Sequence, residues 1–352
     1  MSRRLAGWTF LALSLFAPPL AEGADPGRPL VVIVANNTGT EITDFVVPYS
    51  VLRDSGAVDV VDVAVRPGPV ELMPVELALQ PSETLESFDA RHPEGADYVV
   101  VPAMHDPREP VLLDWIRAQA KRGAVVVGIC DGVWVLAHAG LLDGRDATGH
   151  WYSLEDLQKQ FPRTRWVLDR RWVRDGPVVT TTGVTASLPA SLALVEEIAG
   201  HERAEAVARE LGVASWSAAH ESARFRLDGG HRVTAVRSWL SPWRWERVGI
   251  PIAPGVDEMA LAFTADANGR TWVSTAVATA VAAGPVVGRR GLTLVPETGS
   301  DAEVDRVEEM PGGDVPPAQS LDRALARIAE VHGEATASFV ALQLEYPRPG
   351  SP

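Results

Sequence analysis

Cysteine is almost missing from this chain, with one thiol, Cys130, among 352 residues. A single cysteine excludes an internal disulfide framework, so the fold must rest on its core. Basic residues are in the minority, 32 Lys and Arg against 46 Asp and Glu, for a formal charge of -14. That balance argues against a nucleic-acid partner, because affinity for phosphate backbones rests on cations neutralising them. The densest basic candidate, Arg163, Arg165, Arg170, Arg171 and Arg174, is interrupted by Asp169 and Asp175 and reads as a solvated face. No stretch approaches the roughly 18 consecutive apolar residues of a membrane span. The eight His show no metal-ligand spacing, and neither a P-loop nor a dinucleotide fingerprint follows the first strand. No metal and no cofactor are therefore expected.

What is present is ordinary globular material, 46% apolar and 22% charged. The N-terminus has three parts. Arg3 and Arg4 are followed by an apolar run over residues 5–16, then Pro18, Pro19 and a small-x-small site at Ala21-Glu22-Gly23. Residues 1–23 therefore read as a secretory signal, with a periplasmic or secreted mature chain starting near Ala24 and no stable membrane insertion after cleavage. A retained anchor is the other reading.

From Leu30 the pattern alternates strand and helix. Short β-branched runs at 30–35 (LVVIVA), 58–65, 97–102 and 124–129 alternate with helical stretches at 41–54, 110–121 and 133–139. A hairpin around Asp175-Gly176 and a helix over 188–198 close the unit. This predicts an α/β, flavodoxin-like parallel sheet sandwiched by helices, with ligands taken at the carboxyl ends of the strands. Residues 77–80 read as an edge piece.

The first domain spans about 29–200. A helical, Trp/Arg-rich connector follows over 201–247, and a smaller C-terminal α/β half-repeat over 248–346. In that half-repeat, 248–255 plays the part of 31–39, and Ala260 falls where Asp44 stands. Residues 276–296 parallel 62–81, both strand, Gly-Pro loop and short strand ending at Pro. The half-unit lacks an acid and a nucleophile, so it is expected to do no chemistry. Residues 338–344 read as its last strand. Trp239, Trp243 and Trp245 offer apolar area for docking the two parts together.

The chemistry is concentrated in residues 128–151, GICDGVWVLAHAGLLDGRDATGHW. A strand ends at Ile129, and Cys130-Asp131-Gly132 turns sharply into a helix, as in a nucleophile elbow. Gly128 and Gly132 leave room for so tight a turn. The helix N-terminus behind the sulfur favours a thiolate, so the thiol pKa is expected to fall. Free cysteine is also among the most buried residue types, and an inert thiol at a strand end is the alternative.

Three stretches, Gly128-Ile129-Cys130-Asp131-Gly132, Ala139-Gly140-Leu141-Leu142-Asp143-Gly144-Arg145 and Ala147-Thr148-Gly149-His150-Trp151, resemble the DJ-1/PfpI superfamily within the class I glutamine amidotransferase-like fold. The nearest branch holds isocyanide hydratases and the N-terminal domains of AraC-type regulators. The resemblance covers about residues 29–200. It implies that Asp44, four residues before Pro48, is the family's acidic partner of the cysteine, and that His150 lies near the site. Asp44 as a plain helix N-terminal acid and His150 as a packing residue are the alternatives. Glu41 lies one turn from Asp44. Thr185, in Gly183-Val184-Thr185-Ala186-Ser187, matches a stretch where the family's chain passes the site.

Two positions depart from the pattern. Asp131 stands where many family peptidases have His and isocyanide hydratases have Thr, and Gly149 replaces a Thr. The resemblance implies a hydratase or hydrolase acting on a small electrophile. Cys130 would attack, Asp44 would manage the proton, and backbone N–H groups at Asp131 and Gly132 would hold the developing anion. A ligand-binding or redox-sensing module and an unreactive relic are the competing classes. The expected partner is a small-molecule ligand or substrate, and a homodimer is compatible with the sequence.

Overall fold

The structure, a computed structural model, describes residues 27–282, 284–296 and 303–347. The secretory-signal segment lies outside the described residues. The chain is α/β, with two parallel-rich sheets and helices packed on them. The first sheet runs, edge to edge, Trp172–Asp175, Val178–Thr181, Val125–Gly128, Tyr98–Val101, Leu30–Ala35, Asp59–Ala64 and Glu83–Thr84. All neighbours are parallel except the Trp172–Asp175 edge strand, which pairs antiparallel with Val178–Thr181. Every residue of Leu30–Ala35 is buried, which its continuous β-branched run requires of a strand covered on both faces.

One face packs against the helices Ile42–Ser55 and Ser187–Ala199, the other against Leu85–Arg91, Pro110–Arg122 and Gly132–His138. The helix Pro110–Arg122 has its proline at the first turn and ends at Gly123 with φ 105°, a left-handed stop suited to glycine. The sheet thus delivers Ile129, Cys130 and the 102–106 loop to one carboxyl-end rim.

The second sheet corrects two expectations. Val75–Gln80 is an interior strand, not an edge piece. It pairs parallel with Ser274–Ala280 on one side and antiparallel with Thr293–Pro296 on the other. Residues 338–344 are helical, forming most of the helix Glu334–Leu344, which packs on Ser320–His332. The run SFVALQL is apolar enough for a buried strand, and a short apolar run does not distinguish the two.

The two sheets share one local arrangement. Leu30–Ala35 lies between Asp59–Ala64 and Tyr98–Val101, and Glu246–Ile252 lies between Ser274–Ala280 and Arg306–Val307. The helices Ile42–Ser55 and Glu258–Gly269 start with the same acidic cap. Glu41 accepts the N–H of Asp44 at 2.5 Å, and Asp257 accepts that of Ala260 at 3.0 Å. These two helices pack against each other, and the equivalent residues Leu79 and Leu294 pair directly across antiparallel strands. Like elements meeting like is the arrangement of an isologous two-fold contact, here inside one chain. The tryptophans do not make this junction. Trp239, Trp243 and Trp245 are all exposed, and the joint is made by the shared sheet and the helix pair instead.

Candidate functional site

Cys130 follows the strand Val125–Gly128 with φ 52°, a left-handed conformation that is strained for any residue but glycine. The strain is held by a hydrogen bond from its N–H to Thr181 Oγ1, 2.9 Å, on the neighbouring strand. Gly132 is required sterically, since a Cβ there would lie 2.0 Å from the Val101 carbonyl oxygen. Its N–H is already given to Ile129 O at 2.7 Å, so Gly132 shapes the turn and does not supply an oxyanion donor. The Asp131 N–H is the elbow amide left without an acceptor among the described residues.

The electrostatics reverse the expected thiolate. Burial pushes the Cys130 thiol well up, and the carboxyl groups of Asp44, Asp131 and Glu41 push in the same direction, against the single cation Arg270. The sulfur is therefore held as a thiol at neutral pH. The helix behind it has only seven residues, Gly132–His138, and its end charge does not outweigh burial and three acids. Asp44 is pushed upward by burial as well, opposed by the N–H of Ala103, 3.2 Å from Oδ2, and by Arg270. Its Oδ1 is buried without a partner. A buried carboxyl with one unpaired oxygen is most stable with a proton on it.

Glu41 lies beside this pair. Burial, then Asp266 and Asp44, raise its pKa, and Arg270 opposes them from 3.0 Å at Glu41 Oε1. Arg270 also bonds Asp266 Oδ1 at 2.5 Å, and Asp266 Oδ2 accepts from Thr43 at 2.9 Å. Asp266 and Arg270 lie in and just after the helix Glu258–Gly269, so the C-terminal part of the chain contributes to the site's charge balance. Nothing local in the sequence signals a cation reaching back across more than two hundred residues.

The C-terminal segment covers the site loops. Glu345, with φ 57°, accepts the Gly183 N–H and sits 2.8 Å from His220 Nε2, with both side chains buried. Thr185 Oγ1 donates to Glu345 O at 2.9 Å, and Trp151 Nε1 donates to Leu342 O at 2.9 Å. His150 Nε2 lies 3.1 Å from Gln343 O, and Gln343 Nε2 donates to Arg270 O at 2.8 Å. Cys130, Asp44, Asp131 and Glu41 are thus one cluster. His150 and Thr185 are brought to the C-terminal segment beside it. Cys130 is 4% exposed. Among the described residues no group of three or more His, Cys, Asp or Glu is arranged to hold a metal ion.

The DJ-1/PfpI family profile matches residues 30–197. The isonitrile hydratase of Pseudomonas putida is 35% identical over 176 residues, 48% of this chain and 72% of that protein. This chain belongs to the DJ-1/PfpI family. Its DJ-1/PfpI domain is also similar to the HTH-type transcriptional regulator CdhR of Pseudomonas aeruginosa, 38% identical over 101 residues. That match covers 29% of this chain and only 30% of the regulator. Among solved structures, Drosophila melanogaster DJ-1beta aligns with 53% of this chain and 99% of its own, at 24% identity and a TM-score of 0.48. The DJ-1/PfpI domain carries the elbow, and Arg270, Glu345 and His220 come from outside the matched residues.

Proposed function

We propose that this chain is a cysteine-dependent hydratase or hydrolase of a small carbon electrophile, with an isonitrile as the substrate to try first. One observation carries the reading: a strained, buried thiol and a carboxyl with a free buried oxygen share one cluster, both poised to hold protons. Addition of S–H to an isonitrile carbon consumes that proton. Sulfur forms the bond to carbon, and the thiol proton reaches the same carbon through the Asp44 carboxyl, giving a thioformimidate. Water then adds to that carbon, one of its protons going to nitrogen and the other to sulfur. The C–S bond breaks, the N-formyl amine leaves and the thiol is restored. The Asp131 N–H supplies a donor at the elbow for the tetrahedral stage. The likeness to the Pseudomonas putida hydratase supports the choice of probe.

Incubation with an alkyl isonitrile, read by formamide appearance and by intact mass, tests this. Wild type should turn over, Cys130→Ser should be inactive, and Asp44→Asn should fall by at least about 100-fold, the usual size of a general acid–base contribution. No product and no adduct with wild type would leave a ligand-binding module as the function. The burial of Cys130 favours that second reading. We further propose that the chain works outside the cytoplasm, from its three-part N-terminus. Recovery of uncleaved Met1 from the cytoplasm of a native host would overturn this.

A further inference from the structure

The helix Gly229–Trp239 in the connector is built inside out. Its inward face, His231, Thr234 and Ser238, is polar, with His231 Nε2 3.3 Å from Ser338 Oγ on the last helix. Its outward face, Val233, Val236 and Leu240 at i, i+3 and i+7, is apolar and exposed, Val233 at 67%. Trp239 and Trp243 extend that face, 69% and 80% exposed, with Trp245 beside them. Arg232 and Arg237 flank the stripe, and neither has an ion-pair partner among the described residues. From Glu221 to Glu246 the chain carries five Arg against Glu221, Asp228 and Glu246, a local +2 in a molecule of -14. An exposed apolar stripe of this kind marks a contact surface.

We propose that this face docks the protein on an anionic lipid bilayer. Charge complementarity selects the occupant: in the other basic stretch Arg163, Arg165 and Arg174 are each paired with an acid, whereas Arg232 and Arg237 beside the apolar stripe are left to meet a negative surface. The side chains suit a headgroup boundary, where indoles sit at the interface and arginines bury their stems while keeping their charge in water. No described helix is long and apolar enough to cross a membrane, so the helix lies on the surface with its apolar stripe inserted.

Sedimentation of the full chain with vesicles of phosphatidylglycerol and phosphatidylethanolamine, against phosphatidylcholine vesicles, is the test. The protein should favour the anionic vesicles and be released by 0.5 M salt, at about a 3–8 Å screening length. Arg232→Gln/Arg237→Gln should weaken binding roughly 30-fold, since each arginine near the surface is worth about fivefold. Trp239→Ser/Trp243→Ser should weaken it by about tenfold or more. All four positions are exposed, so both variants should fold, and unchanged melting curves would verify it. Equal binding to both vesicle types overturns the proposal, as does undiminished binding of both variants, which would assign retention to the apolar run over residues 5–16. A dimer in the absence of lipid that either variant dissolves would also overturn it, making the face a contact between copies.

Discussion

At Cys130 a left-handed backbone and a short helix argue for a reactive sulfur, while burial and three carboxyl groups argue against an anionic one. The second set wins, and the outcome is measurable. Alkylation rate against pH should give a wild-type midpoint above the roughly 8.5 of an ordinary thiol. Asp131→Asn removes a neighbouring acid and should move the midpoint down, whereas Arg270→Gln removes the opposing cation and should move it up. A wild-type midpoint below 8 would restore the thiolate. Asp44 also carries a stability signature. Its folded pKa is raised, so between the unfolded value near 4 and the folded one the native state holds a proton that the unfolded chain has lost. Stability therefore declines as pH rises through that window, and Asp44→Asn, which does not titrate, should gain at least about 2 °C in Tm at pH 8 and nothing at pH 4. Equal shifts at both pH values would mean that Asp44 is not held protonated. The elbow and Asp44 were legible in the sequence because they are local: a turn motif and a spacing to Pro48. The sign of the thiol shift was not, because Glu41, Asp266 and Arg270 meet only through the packing of Ile42–Ser55 on Glu258–Gly269.

At the scale of elements, the elbow depends on a close approach and the cover on a single turn. Gly132→Ala would press a methyl group against the Val101 carbonyl and should destabilise the fold by about 3 kcal/mol or more, read by urea unfolding. Wild-type-like stability would mean that the turn relaxes freely. The cover is held where Glu345 links Gly183 to His220. Glu345→Ala should loosen the segment after the last helix and raise the alkylation rate of Cys130 by about tenfold without moving its pH midpoint, the mark of access and not of protonation. A shifted midpoint with an unchanged rate would refute a covering role. Residues 338–344 read as a strand in the sequence because the helix they form, Glu334–Leu344, is apolar on nearly all sides. Such a helix is buried all round, and here Gly229–Trp239 and Ser320–His332 pack on it. The exposure of Trp239, Trp243 and Trp245 departs from the sequence for the complementary reason. Indole area defaults to burial in any sequence reading, yet period alone does not say which face of a helix looks outward.

At the scale of the whole molecule, the second sheet draws on both parts of the chain, because Val75–Gln80 is stitched between Ser274–Ala280 and Thr293–Pro296. The two halves cannot unfold one at a time without stranding a sheet edge. Arg290 is the electrostatic pin of this junction. Its guanidinium lies 2.8 Å from Asp54 in the first unit and 3.0 Å from Asp257 in the second, and its N–H donates to Glu258 at 2.7 Å. Arg290 is 6% exposed, so removing the guanidinium leaves carboxylates uncompensated in a largely dry joint. A buried pair broken from one side costs about 3–5 kcal/mol. Arg290→Ala should therefore lower stability by that amount in one transition, with fluorescence and circular dichroism curves still superimposed. Two separate transitions in wild type would show that the halves are independent, and a loss below about 1 kcal/mol would show that water reaches the joint. The same geometry bears on assembly. The face of Ile42–Ser55 that meets its equivalent helix is already occupied within the chain, so a second copy has no access to it. Sedimentation equilibrium at micromolar concentration should give a monomer, and Arg290→Ala should remain one. A wild-type dimer that survives Trp239→Ser/Trp243→Ser would require an interface on some other surface.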